Sequence, residues 1–121
     1  MLLAAATACL LAAQAPMVES ELFFGRDIAG SAPVSDAQWS DFVATVIAKN
    51  FPDGFTVTDG DGEWRDSKSL KVVHEPSKIL IVAARKSPEL GPKLRAVIDA
   101  YRTRFHQQSV GLVTREVCAA F

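Results

Sequence analysis

Two cysteines, two histidines and a formal net charge of -1 are all the special chemistry this 121-residue chain carries, and each scarcity excludes something. With 13 basic and 14 acidic side chains there is no basic field to hold nucleic acid and no acidic tail. His74 and His106 stand apart, without the His-x-x-x-His or paired-cysteine spacing of a metal site, and no cofactor motif accompanies them. No repeat, low-complexity stretch or interior linker divides the chain. Its length suits one domain, whose core buries roughly two thirds of the surface the unfolded chain exposes, so neither a metal nor a disulfide framework is required for folding.

The apolar run Leu2 to Ala13 is too short to cross a bilayer, which leaves no transmembrane span. Residues 1–15 have the form of a secretory signal, with Ala13-Gln14-Ala15 as a small-x-small cleavage site, and the expectation is an exported protein, periplasmic or secreted, with its domain over residues 19–121. Cys9, in Ala6-Thr7-Ala8-Cys9, offers the alternative of a lipid anchor. Cleavage after Ala15 leaves Cys118 as the one thiol, read as a buried apolar side chain. A Cys9–Cys118 bridge would require an uncleaved signal.

Ser20 to Arg26 reads as a strand whose adjacent Phe23 and Phe24 point to opposite faces. A helix then starts at Ser35, the N-cap, with Gln38 completing a capping box and Val34 and Trp39 in the two staple positions. Trp39, Phe42, Val43, Val46 and Ile47 form its apolar stripe. It ends near Asn50, a residue suited to the left-handed C-terminal position, and Pro52 prevents continuation. Phe55 to Thr58 alternates as a half-buried strand. Asp59-Gly60-Asp61-Gly62 has hairpin-turn chemistry, with Trp64 on the return, and Asp66 to Ser69 reads as a second polar turn. Leu70 to Ala84 is strand-like, marked at Pro76 by a bulge or an edge, and Ile79-Leu80-Ile81-Val82 is apolar throughout as in a central strand. Leu94, Val97, Ile98, Tyr101 and Phe105 make a second helical stripe, and a last strand runs from about Ser109 to Cys118.

This order, β-α-β-β-α-β with a hairpin extension after the second strand, predicts an α+β, ferredoxin-like antiparallel sheet with two helices on one face. The first and third strands then lie at the centre, and the other face needs a cover: a second copy of the chain, a ligand, or the hairpin folded across.

The chain resembles the bacterial family known as domain of unknown function 3574, small proteins often preceded by an export signal. The likeness runs from about Glu21 to Phe121. It rests on Leu22-Phe23-Phe24-Gly25-Arg26, on Trp39 and Phe42, on Phe51-Pro52-Asp53-Gly54-Phe55-Thr56-Val57 with Asp59-Gly60 and Gly62-x-Trp64, on Glu75-x-Ser77-Lys78, and on Tyr101, Phe105, Gln107 and Ser109-Val110. His106 and Gln108 stand where the family pattern has Gly and Glu. The resemblance implies a small exported α+β domain, and the family name offers no activity to carry over.

Asp59, Asp61 and Glu63 lack the spacing of a calcium loop and are read as part of the turn. Cys118 has no neighbouring His or helix N-terminus to make it a nucleophile. Arg26, leaving the first strand, with Glu75 and Lys78 beside the third, brings charged groups toward Trp64 on the open face. These four residues are the candidate ligand site, suited to a small carboxylate or phosphate; the alternative for the charges is a structural salt bridge at the sheet edge. The function expected is a non-enzymatic binding or interaction module using the open sheet face, either as a homodimer or for a small anionic ligand. The alternative is a small dimeric α+β-barrel enzyme with a cavity for acid-base or oxygen chemistry.

Overall fold

The computed structural model describes residues 8–121. Most of the apolar N-terminal run, residues 1–7 included, bears on the signal reading, and those seven residues lie outside the described part. Strand β1 spans Ala15–Gly25, β2 Thr56–Arg65, β3 Val72–Ala84 and β4 Gly111–Ala119. Between β1 and β2 lies helix α1, built from an α segment Asp36–Phe42, a π segment Val43–Ile47 and a closing turn Ala48–Asn50; helix α2 is Leu90–Phe105. The sheet order is β2-β3-β1-β4 with every neighbouring pair antiparallel, so β1 and β3 are central.

Period-two alternation along the central strands decides what faces the helices. Ser20, Leu22 and Phe24 of β1 and Leu80 and Val82 of β3 are buried, together with Trp39, Phe42, Ile47, Leu94, Val97, Tyr101 and Phe105 from the helices. Phe23 points the other way and is 38% exposed, so the two phenylalanines do part company. Ile79 and Ile81 alternate with Leu80 and are half-buried on that same second face. The core centre is aromatic. Phe24 meets Tyr101 at 4.8 Å between ring centroids and Trp39 at 5.3 Å, and Tyr101 meets Phe42 at 5.2 Å. Tilted and edge contacts of this kind add to the area the rings bury. The Tyr101 hydroxyl donates to the Gly25 carbonyl at 2.6 Å, which ties α2 to the end of β1; burial holds that hydroxyl well above the ordinary tyrosine range, hence neutral.

The start of α1 follows its sequence signals. The Gln38 N–H donates to Ser35 Oγ at 3.1 Å, the Ser35 N–H donates to Gln38 Oε1 at 2.9 Å, and Val34 and Trp39 are both buried. Its end does not. Asn50 remains helical and donates its side-chain amide to the Val46 carbonyl at 2.9 Å, and the chain leaves through Phe51. The left-handed cap occurs instead at the end of α2, where His106 has φ 52°. The π segment was not foreseen, because an apolar stripe spaced at three and four residues is compatible with either winding.

The turn predicted at Asp59 to Gly62 is corrected. These residues run straight through β2, paired from Thr56↔Ile81 to Arg65↔Val72 without a break. Their glycines answer to close approach, not to a turn. A Cβ at Gly60 would lie 3.0 Å from Ile79 Cδ1, and one at Gly62 would lie 3.1 Å from the Glu75 carbonyl oxygen. The reversal comes at the second polar stretch, where Asp66 Oδ1 accepts from the N–H groups of Lys68 and Ser69 at 2.9 and 2.7 Å and Leu70 takes φ 60°. Trp64 is therefore on β2 itself, and the hairpin is β2–β3, whose last five pairs continue past the end of β1. Pro76 makes no bulge. Its carbonyl accepts from the Arg26 N–H at 3.1 Å, so its missing donor faces the side where β1 has ended and the β2 ladder is untouched.

The N-terminus departs from expectation twice, and the first departure is that β1 begins at Ala15, five residues before Ser20. Cys118 is not a free buried thiol in this chain: it forms a disulfide with Cys9, beside the Ala15↔Ala119 pair that opens β1.

Two substitutions test this core. Phe24→Ala is expected to cost about 3–5 kcal/mol through the cavity it leaves, and Tyr101→Phe about 1–3 kcal/mol through the unpaired Gly25 carbonyl. Urea unfolding followed by circular dichroism measures both, with native secondary structure retained in each.

Candidate functional site

The end of β1 is where the sequence-predicted residues converge, and the sheet separates them. Glu75 and Lys78 are three residues apart along β3, so the two side chains leave opposite faces. Glu75 goes to the open face, where its carboxylate accepts from Trp64 Nε1 at 3.1 Å and from the Asp27 backbone N–H at 3.1 Å. It lies directly over Gly25: a Cβ there would come within 2.6 Å of Glu75 Oε1. A side chain at this position would displace the Glu75 carboxylate.

Lys78 goes to the helix side and pairs with Asp59 across the β2–β3 ladder, and the ammonium holds the Asp59 carboxyl below the ordinary carboxylate range. Arg26 also turns away from the open face. Its Nε and Nη2 donate to the Val34 carbonyl at 2.9 and 2.6 Å, and Nη2 reaches Asp36 Oδ1 at 2.8 Å, which clamps the chain leaving β1 to the start of α1. Beside it is an open recess of about 300 Å³ lined by Arg26, Asp59, Gly60, Asp61, Pro76 and Ser77. The structure thus brings Trp64 and Glu75 together and sets Arg26 and Lys78 apart from them, each with a carboxylate partner of its own.

The open face carries more than was anticipated. On it β1 presents Glu19, Glu21 and Phe23, β3 presents Val73, Ile79 and Ile81, β2 presents Thr56, Thr58 and Trp64, and β4 presents Val113, Arg115 and Val117. Phe23 is 38% exposed, Trp64 45% and Val113 50%. Arg115 donates to Glu19 Oε1, at 3.2 Å from Nε and closer from Nη2, with Glu21 Oε1 at 3.8 Å. Those carboxylates push the arginine's affinity for its proton still higher. The Glu19–Arg115 pair escaped the sequence reading because β1 was started at Ser20; the alternation of Glu19 and Glu21 with Ser20 and Leu22 was its available signal. His74 and His106 are exposed and on separate elements, and among the described residues no group of three or more His, Cys, Asp or Glu is placed to hold a metal ion.

Comparison with known proteins gives a family and a fold. The family described as protein of unknown function (DUF3574) matches residues 19–121. No curated protein matches the sequence. Among solved structures, a phage SAM lyase in complex with S-methyl-5'-thioadenosine superposes with a TM-score of 0.65 at 17% identity, covering 87% of this chain and 90% of that one. The same kind of enzyme in its apo state gives 0.64 at 15% identity over 96% and 97% of the two chains. At such identities the likeness is one of fold.

The Glu75–Gly25 contact yields a thermodynamic test. Gly25→Ala is expected to destabilise by about 1–3 kcal/mol through overpacking. Combined with Glu75→Ala it should cost less than the sum of the two single changes by at least about 0.5 kcal/mol. A double-mutant cycle in urea measures the coupling, and strict additivity would contradict the contact.

Proposed function

The chain belongs to the family described as protein of unknown function (DUF3574), and we propose that it is a small exported, non-enzymatic binding module of ferredoxin-like build, whose open sheet face receives a partner or a small ligand. The observation that carries this reading is the uncovered face itself: a four-stranded sheet with both helices on one side, and Phe23, Trp64 and Val113 presented to solvent on the other. An apolar surface of that extent marks a site of association. Binding is favoured over catalysis because the polar groups bordering the face are already engaged, Glu75 by Trp64 and Asp27, Arg115 by Glu19. Within this reading Trp64 and Glu75 form the ligand-facing pair, and Arg26 and Lys78 support them from the helix side. The phage lyase binds S-methyl-5'-thioadenosine, but a likeness of fold carries neither that ligand nor the lyase reaction to this chain.

Two features support export. The apolar N-terminal run has signal character, and a disulfide between Cys9 and Cys118 suits an oxidising compartment. Cleavage after Ala15 and the bridge exclude each other, as do lipid attachment at Cys9 and the bridge, since each claims the same residue. The sheet tolerates either fate, because β1 pairs with β4 from Pro16 onward without Ala15.

Covalent footprinting of the protein recovered from the bacterial envelope tests the binding reading. Phe23, Trp64 and Val113 are expected to be protected relative to their exposure in the isolated chain, and a fully labelled face would overturn it. Fractionation tests export, with recovery from the cytosol alone as the contrary result. Maleimide labelling before and after reduction then reports the N-terminus: a Cys118 thiol blocked until reduction marks the bridge, and a thiol free from the start marks cleavage.

A further inference from the structure

Resting on the reading of the open face as a binding surface, we infer that its occupant is a second copy of this chain, packed face to face about a two-fold axis with the β2–β3 ribbon included in the contact. Three observations converge on this partner. The first is continuity. Trp64 and Val73 lie on the ribbon beyond the end of β1, yet on the same face as Phe23, Ile79 and Ile81, so sheet and ribbon share one face, joined through Gly60, Gly62, Ser77 and the Glu75 carboxylate that Trp64 binds. The ribbon needs cover as well, since a two-stranded ribbon alone is marginal in water. On the open face of the ribbon Trp64 is 45% exposed.

The second is extent. With strands about 4.8 Å apart and about 3.3 Å per residue, the shared part of four strands plus the ribbon covers roughly 650 Å² per copy, or roughly 1,300 Å² for two. That reaches the range of about 1,200–2,000 Å² found in specific, stable interfaces.

The third is charge. The face has no field of one sign to select a strongly basic or acidic partner. Glu19, Glu21 and Arg115 gather toward the Ala15 end of β1 in contact with one another, and the fourth charged residue, Glu75, sits past the end of β1 with its carboxylate already engaged by Trp64 and the Asp27 N–H, while Phe23, Ile79, Ile81, Val73 and Trp64 occupy the rest. Placed against itself by a two-fold axis, such a surface meets apolar with apolar around Phe23 and Ile81 and keeps Glu19, Glu21 and Arg115 at a rim, with Glu75 satisfied inside its own chain.

Sedimentation velocity of the full chain over a dilution series tests this. The expected result is a species of twice the 13.0 kDa chain mass that dissociates on dilution. Ile81→Lys and Phe23→Lys should each weaken the dimer at least about tenfold, because an unpaired charge would be buried in it. Thr103→Lys, exposed on α2, should leave it unchanged. Far-ultraviolet circular dichroism and cooperative unfolding of each variant show that the core on the helix side remains intact. A variant that fails to fold is replaced by Ile81→Thr, which weakens the contact without adding charge. A monomer persisting at ~100 μM overturns the inference, since interfaces of standard size are specific and stable. So does a dimer that Thr103→Lys disturbs as much as Ile81→Lys. A monomer whose face is still protected in footprinting refutes self-association and leaves the binding reading standing; a monomer with a fully labelled face refutes both.

Discussion

Alternation along β1 is the constraint on which the molecule turns. A strand can bury one set of its side chains against the helices and must send the other set elsewhere. Here Ser20, Leu22 and Phe24 enter the core, and Glu19, Glu21 and Phe23 leave it. Both flanking strands are locked to this choice by unbroken register, since a slip of one residue would exchange every face at once. The aromatic group around Phe24 and Tyr101 makes that slip costly, and the hydroxyl bond from Tyr101 to Gly25 fixes where β1 stops.

The end of β1 then does two things with the charges gathered there. On one face Glu75 is spanned by the Trp64 indole and the Asp27 backbone, over a glycine that leaves room for it. On the other, Lys78 and Arg26 close ion pairs that join β2 to β3 and β1 to α1. Both of these pairs involve a largely exposed aspartate, so they orient local structure more than they stabilise it. The polar side chains thus frame the open face, and the energetic interest of that face lies in its apolar residues.

Much of this was legible in the residues and some of it could not be. The α1 capping box, the opposed Phe23 and Phe24, and the central place of the first and third strands follow from local chemistry and short periods. Asp59-Gly60-Asp61-Gly62 misled because its composition is that of a turn, whereas the glycines answer to Ile79, Ser77 and Glu75 from the neighbouring strand, a requirement invisible without the pairing. Trp64 and Glu75 were rightly drawn together; Lys78 was not, although its distance of three residues from Glu75 already implied the opposite face. The Cys9–Cys118 bond joins residues 109 apart and depends on where two chain ends meet, which no local pattern encodes.

That bond has a mechanical consequence. Cys118 is the next-to-last residue of β4, paired with Pro16 near the end of the β1–β4 ladder, and its bond to Cys9 closes nearly the whole described chain into a covalent ring. Tension applied to the two ends would pass through sulfur and would never reach the hydrogen bonds between β1 and β4, which would otherwise open one after another. While the bridge holds, the molecule resists stretching as a short link would. Once it is reduced, the same pull falls first on the strand that carries both the core and the open face.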